Sequence, residues 1–289
     1  MTRVPRLVLF AAVVLVLAAP ARADYLITDP DSLLYNSADW LVITHPDFTA
    51  AMDPLCRLRD SLGLEVKMAE ADLIYSAFPA GARTDCIRAF MEQVYYNWNT
   101  RPRYLLLVGD ACRDSTHDDF LPVKLFPKFS YAYASGLTTH GADNWYATLS
   151  GGDSIPDIIV GRLPVNRPQQ AESLVAKLLR YETALDTGRW LETTMLPASD
   201  DRLPYALELE SLFLAPNGDS VYTVYEYQGN SAFLRHKTVT GFNEGAALVC
   251  QATHGAQPPA WVGSRTLFSW QDVESLDNID RLPVVLGRG

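Results

Sequence analysis

Near-continuous apolar runs alternate with amphipathic stretches along most of the chain. Trp40-Leu-Val-Ile-Thr-His45 and Tyr104-Leu-Leu-Leu-Val-Gly-Asp110 are apolar over strand length, the pattern of strands buried on both faces. Leu64 to Met68 alternates as a further strand. Pro54 to Leu62 predicts a helix stopped by Gly63, and Thr84 to Tyr96 repeats apolar residues at three and four spacing. This βαβ rhythm predicts an α/β fold with mainly parallel sheets flanked by helices.

From Ala111 to Gly152 the periodicity gives way to Asp, Pro, Tyr and Gly. The stretch is too long for a passive connector and is expected to wall a cleft. Asp157 to Arg162 resumes as a strand, and Arg167 to Thr183 predicts an amphipathic helix with Pro168 in its first turn. Further strands are expected at Thr193 to Pro197, Ser220 to Tyr227, Ala246 to Ala252 and Leu282 to Leu286. The expected organisation is two side-by-side subdomains, residues 24–150 and 151–289.

The N-terminus changes the picture of where the chain works. Arg3 and Arg6 precede an apolar run from Leu7 to Ala19, and Ala21-Arg22-Ala23 has the small-x-small form of a cleavage site. Residues 1–23 are therefore expected to be a signal peptide and the protein to be secreted. The competing account is an uncleaved anchor, but the run is shorter than the roughly 20 residues that span a bilayer, and no later segment is longer. The net charge of −10 is spread along the chain, which argues against nucleic acid or an anionic membrane as partner. A peptide or sugar substrate fits better.

Cys56, Cys86, Cys112 and Cys250 have no metal-type spacing. Export permits one or two bridges, Cys56 to Cys86 first by separation, and buried free thiols are the equal alternative. His254 follows the strand Ala246 to Ala252 and so stands at the carboxyl end of a sheet strand, where open α/β sheets place their ligand crevice. Gly255 offers a backbone N–H unobstructed by a side chain, suited to polarising a carbonyl oxygen. Alone, a His-Gly pair is more often a structural or surface feature.

Its neighbourhood gives it more weight. The segments "LVITHPDF" (41–48), "YLLLVGD" (104–110), "DNWYATLSGGDSIPDIIVGRLPV" (143–165), "AKLLRYE" (176–182), "NEGAALVCQATHGAQPPAW" (243–261) and "LPVVL" (282–286) together resemble the gingipain-type cysteine peptidases, whose fold is caspase-like. The resemblance implies a Cys/His dyad, with the histidine after one apolar strand and the cysteine after the next. His254 and Gly255 fit the proton-transfer and oxyanion positions. Asp157 matches a position where the resemblance implies an acid near the histidine; it is equally an ordinary aspartate at the start of a strand.

The pattern departs at its end. The family's nucleophile follows the last strand after a few residues, whereas here Leu286 is followed by Gly287-Arg288-Gly289. The expectation is a secreted cysteine-type endopeptidase domain acting on proteins or peptides and represented without its nucleophile. Cys250 is four residues from His254, roughly 13 Å in an extended strand, and reads as a packed thiol; Cys112 is the second choice. The alternatives are a non-catalytic relative that binds peptide, or an unrelated secreted glycan-active hydrolase with Asp110 and Asp157 as paired carboxylates.

No cofactor is expected for catalysis. The resemblance implies that structural calcium is possible, with Asp114, Asp118, Asp119, Asp143 and Asp153 as candidate donors, though none has EF-hand spacing. His45, His117, His140 and His236 form no metal motif, and Ser264 lacks a nucleophile elbow. Side-chain preference is not legible, because Gln169, Gln170 and Glu172 all lie near the position where an acid would set it.

Overall fold

A computed structural model describes residues 25–111, 120–127, 139–183, 187–256 and 260–287. The signal-like segment 1–23, Cys112, Asp114, His117, Asp118 and Asp119 lie outside these residues. The chain divides into two units, the first ending at Ala171 and the second starting at Glu172.

The first unit comprises β1 (Leu26–Ile27), α1 (Asp31–Leu34), β2 (Trp40–Thr44), α2 (Thr49–Ser61), β3 (Val66–Glu70), α3 (Ala71–Ala77), α4 (Arg83–Asn97), β4 (Tyr104–Val108), β5 (Lys124–Pro127), β6 (Thr139–Ala142), β7 (Ile159–Leu163) and the first turn of α5 (Pro168–Thr183). Its main sheet runs β1-β3-β2-β4-β7 with every pairing parallel. All five residues of β2 are buried, as their unbroken apolar run predicts. Leu41, Ile43, Leu105 and Leu107 meet Ile87, Phe90, Met91 and Val94 in one core. Those four α4 residues form a single stripe at helical spacing, each stabilising the fold by about 1.5–3 kcal/mol on burial.

Three expectations need correction here. The boundary at residue 150 falls inside the first unit, because β7 pairs with β4 along its length and completes that sheet. Pro54 does not open its helix. The helix begins at Thr49, and Pro54 sits inside it. The stretch read as loop also contains the antiparallel pair β5 and β6.

Arg162 on β7 ties the carboxyl end of this sheet together. It donates to the carbonyls of Gly109, Leu121 and Pro122, and grips Asp143 through both carboxylate oxygens at 2.7 and 2.8 Å. Gly109 has φ of +137°, and a Cβ there would stand 3.1 Å from the Cβ atoms of both Phe120 and Leu121, so the close approach requires glycine.

The second unit contains β8 (Thr193–Ala198), α6 (Leu203–Leu209), α7 (Ala215–Asn217), β9 (Ser220–Tyr225), α8 (Ser231–Glu244), β10 (Leu248–Gln251), β11 (His254–Ala256), β12 (Ala260–Val262), β13 (Thr266–Ser269) and β14 (Val284–Gly287). A π-helical turn, Glu210–Leu214, joins α6 to α7. The parallel sheet has the order β14-β10-β8-β9, and β11, β12 and β13 form a separate antiparallel sheet. From β8 the chain moves to β9 on one side and then to β10 on the other. The direction of winding therefore reverses between β8 and β10, the place where parallel sheets open a crevice at their carboxyl ends. Helix α8, which periodicity did not predict, packs Leu234 and Phe242 against Met195, Val224, Val249 and Leu267. Among the described residues no helix is long and apolar enough to cross a membrane.

Candidate active site

The crevice end of the second unit is built from three strand exits. Strand β8 ends at Ala198 and releases Ser199, Asp200 and Asp201; β9 ends at Tyr225 and releases Glu226; β10 ends at Gln251 and leads to His254. The ladder continues briefly past the strands, with Ala252 N donating to Pro197 O at 2.9 Å and Ser199 N donating to Ala252 O at 3.1 Å. These bonds hold the exits of β8 and β10 side by side. The buried Gln251 amide donates to the Thr253 carbonyl at 3.1 Å and to the Thr253 hydroxyl, fixing the turn that delivers His254.

His254 Nε2 lies 2.8 Å from Asp201 Oδ2. Ser199 Oγ donates to the other Asp201 oxygen at 2.6 Å. The hydroxyl and then the imidazole hold the Asp201 carboxyl below its ordinary pKa. An ionised carboxylate only accepts, so Nε2 carries the proton toward Asp201 and Nδ1 is the nitrogen left to accept one. Gly255 is exposed, and a Cβ built on it would meet nothing within 4 Å, so its backbone can be approached closely. It pairs with Trp261 on β12, whose ring packs on Phe242 and Phe268 at centroid distances of 5.9 and 5.1 Å.

Asp157 lies in the first unit. Its Oδ2 accepts from the backbone N–H groups of Leu149 at 2.7 Å and Ser150 at 2.8 Å, and its Oδ1 from Tyr95 Oη at 3.4 Å. The two backbone donors hold its pKa below the ordinary value. The acid found on the imidazole is Asp201, which sequence reasoning missed together with Ser199. A legible signal existed: two acids follow an apolar strand after a single serine, a placement like the one that singled out His254.

Asp110 and Asp157 do not form a carboxylate pair. In the β4–β7 register Asp110 N bonds to Val165 O beyond the carboxyl ends of the strands, whereas Asp157 precedes the amino end of β7. Eight residues of extended chain separate those levels, roughly 26 Å at 3.3 Å per residue. That exceeds the 5–9.5 Å of a glycosidase pair, so the glycan-active alternative loses its residues.

Cys56 and Cys86 are buried and unbridged, so of the two open readings, a bridge or free thiols, they take the second. Burial pushes the Cys56 thiol up to about 12 and also raises that of Cys250. Both changes disfavour the reactive thiolate. Among the described residues no cluster of His, Cys, Asp or Glu is arranged to hold a metal ion. Asp143 is engaged by Arg162, and Asp153 Oδ1 accepts from Ile155 N at 2.9 Å. His45 Nδ1 accepts from Asp47 N, His140 stacks on Phe126, and Gln170 Oε1 accepts from Asn166 N ahead of α5.

A histidine and an acid at the switch point of a parallel sheet form an arrangement that can move protons. The sequence profile of peptidase family C25 matches residues 34–289, and the chain belongs to that family. Among solved structures it is similar to the Arg-specific cysteine proteinase gingipain R (TM-score 0.66, 20% identity, 86% of this chain and 54% of that one). It is likewise similar to the complex of Porphyromonas gingivalis RgpB pro- and mature domains (TM-score 0.67, 20% identity, 85% and 54%). These likenesses establish the expected mainly parallel α/β, caspase-like fold. The chain spans about half the length of the solved structures it matches, 54% in both cases. No curated protein sequence matches it significantly.

Proposed function

We propose that the chain contributes the histidine side of a secreted cysteine-type endopeptidase acting on proteins or peptides. The observation that carries this is the Asp201–His254 contact at the sheet's switch point. In this reading His254 Nδ1 takes the proton from a thiol and later returns it to the leaving amine, Asp201 holds the imidazole in one tautomer, and Gly255 N–H stabilises the oxyanion.

The thiol would belong to a cysteine placed just after β14. Strands β10 and β14 run parallel with Gln251 opposite Gly287, so β14 ends beside the chain that leads to His254. None of the cysteines among the described residues suits the role: Cys56 and Cys86 are buried in the first unit, and Cys250 is partly buried with its thiol raised by that burial. Export rests on the N-terminal pattern of Arg3, Arg6 and the apolar run that follows.

The test begins with the encoding DNA past the Gly289 codon. A cysteine within the next few codons is expected, and the protein from the complete reading frame should then be labelled by a thiol-reactive probe and lose peptide hydrolysis in His254→Ala. A verified in-frame stop would leave a peptide-binding relative without its nucleophile. Hydrolysis that survives His254→Ala would rule out the dyad.

A further inference from the structure

Glu226 is 1% exposed, yet it carries a carboxyl group to the end of β9, the strand beside β8. A buried carboxyl is tolerated only where donors meet its oxygens. Here the donors come from two different segments. Asp200 N donates to Oε2 at 2.8 Å from the turn after β8, and Arg265 N donates to Oε1 at 2.6 Å from the turn between β12 and β13. Arg265 Nη1 also donates to the Glu226 carbonyl at 3.1 Å, and its guanidinium lies 3.9 Å from Asp200 Oδ2.

The approach is close enough to exclude a side chain. A Cβ on Gly263 would stand 2.2 Å from Glu226 Oε2 and 2.6 Å from Ser199 Cβ. The β12–β13 turn therefore rests directly on the carboxyl and on the serine that donates to Asp201. These contacts close a ring. His254 pairs with Val262 through the backbone; Val262 leads into Gly263 and Arg265; Arg265 is bound to Glu226, and Glu226 to Asp200; Asp201 returns to the imidazole.

We infer that Glu226 is a positioning residue of this site, holding the turn after β8 at a fixed distance from the β12–β13 turn so that Asp201 meets Nε2 of His254. The inference rests on the reading of His254 as the proton-transfer residue. An apolar side chain would fill the same space without bridging the segments, whereas a carboxyl presents two acceptors and no donor. Glutamine at this position keeps the shape but turns its NH2 group toward one of the two backbone N–H donors.

The test uses the chain with ¹⁵N-labelled histidine, whose ring nitrogens report the tautomer without any need for turnover. The unaltered chain is expected to show the neutral His254 ring in the Nε2–H form. Glu226→Gln should lose that preference and move the Asp201 carboxyl titration back up toward the ordinary aspartate range. A folded Glu226→Gln protein with tautomer and Asp201 titration unchanged overturns the inference. If Glu226→Gln does not fold, Glu226→Asp decides, because it keeps the carboxylate but falls one methylene short of the Asp200 and Arg265 backbone N–H groups. It should produce a smaller change in the same direction, and no change would make Glu226 structural only. A tautomer change in Glu226→Gln beside a complete-frame protein that hydrolyses no peptide would support the positioning role and overturn the catalytic reading instead.

Discussion

His254 Nε2 and Asp201 Oδ2 lie 2.8 Å apart although 53 residues separate them in the chain. Only the order of the sheet, with β10 next to β8, brings the two strand exits together. Asp201→Asn can still face the ring, but it loses the charge that favours the Nε2–H tautomer and the imidazolium formed during proton transfer. In a nucleophile-bearing protein, kcat/KM should fall by about 10²-fold or more, the scale on which a positioned acid–base group contributes. KM should change little. A steady-state comparison of the two proteins checks both statements.

The same pair predicts a pH dependence. Ser199 and then His254 hold the Asp201 carboxyl below its ordinary pKa. A depressed carboxyl contributes stability above its unfolded pKa, near 3.9, and loses it as pH falls through the lower folded value. Urea melts of the unaltered chain and Asp201→Asn should therefore differ at neutral pH and converge below about pH 4. The gap will be small, because the Asp201 side chain is 55% exposed and solvent screens the pair. A gap that widens on acidification would contradict the assignment.

Asp157 offers a contrast between two acids. Its carboxylate serves the Leu149 and Ser150 N–H groups, fastening residues 149–150 to the start of β7. Asp157→Asn should lower the melting temperature while leaving the ¹⁵N tautomer signature of His254 intact. Asp201→Asn should do the reverse, changing the tautomer with less effect on the melt. A tautomer change in Asp157→Asn would give that residue a direct part in the site.

Which parts were legible follows from what burial does to a sequence. Strands β2 and β4 are covered on both faces and so appear as unbroken apolar runs, as does the exit of β10 that marks His254. Helix α8 was hidden because its buried stripe is Leu234, Thr238, Gly241 and Phe242. Two of those four positions read as polar or as a helix breaker, so the apolar period is blunted even though the spacing is helical. Asp201 and Glu226 were hidden for another reason. Each follows a strand as an ordinary acid, and their roles depend on which strands are neighbours, which a single sequence does not state.

Gly241 of α8 marks where the helix comes closest to its sheet. A Cβ there would stand 2.7 Å from Met195 Sδ and 2.7 Å from Tyr222 Cε1. Alanine gains about 1 kcal/mol of helix propensity over glycine, but overpacking a tight contact costs about 1–3 kcal/mol. Met195 is fully buried and Tyr222 donates from its hydroxyl to the Lys237 carbonyl, so neither neighbour moves freely. The net expectation for Gly241→Ala is a loss of about 1 kcal/mol, read from a denaturant melt. A stabilised variant would mean that the helix shifts outward at little cost.

Strand β14 predicts how the chain behaves in solution. Among the described residues it is an edge strand paired with β10 alone, and Val284, Val285 and Leu286 are 50%, 48% and 56% exposed. Successive residues point to opposite faces of a strand, so β14 presents apolar side chains on both faces as well as an unpaired backbone edge. Such an edge is a template for pairing with another chain. Expressed as residues 25–289, the protein should associate with increasing concentration. Val285→Lys, which leaves the backbone pairing with β10 untouched and adds a charge of the kind that natural edges use, should shift it toward monomer. Sedimentation over a concentration series measures this directly. A chain that is monomeric throughout, and unaltered by Val285→Lys, would mean that the exposed edge is not a site of self-association.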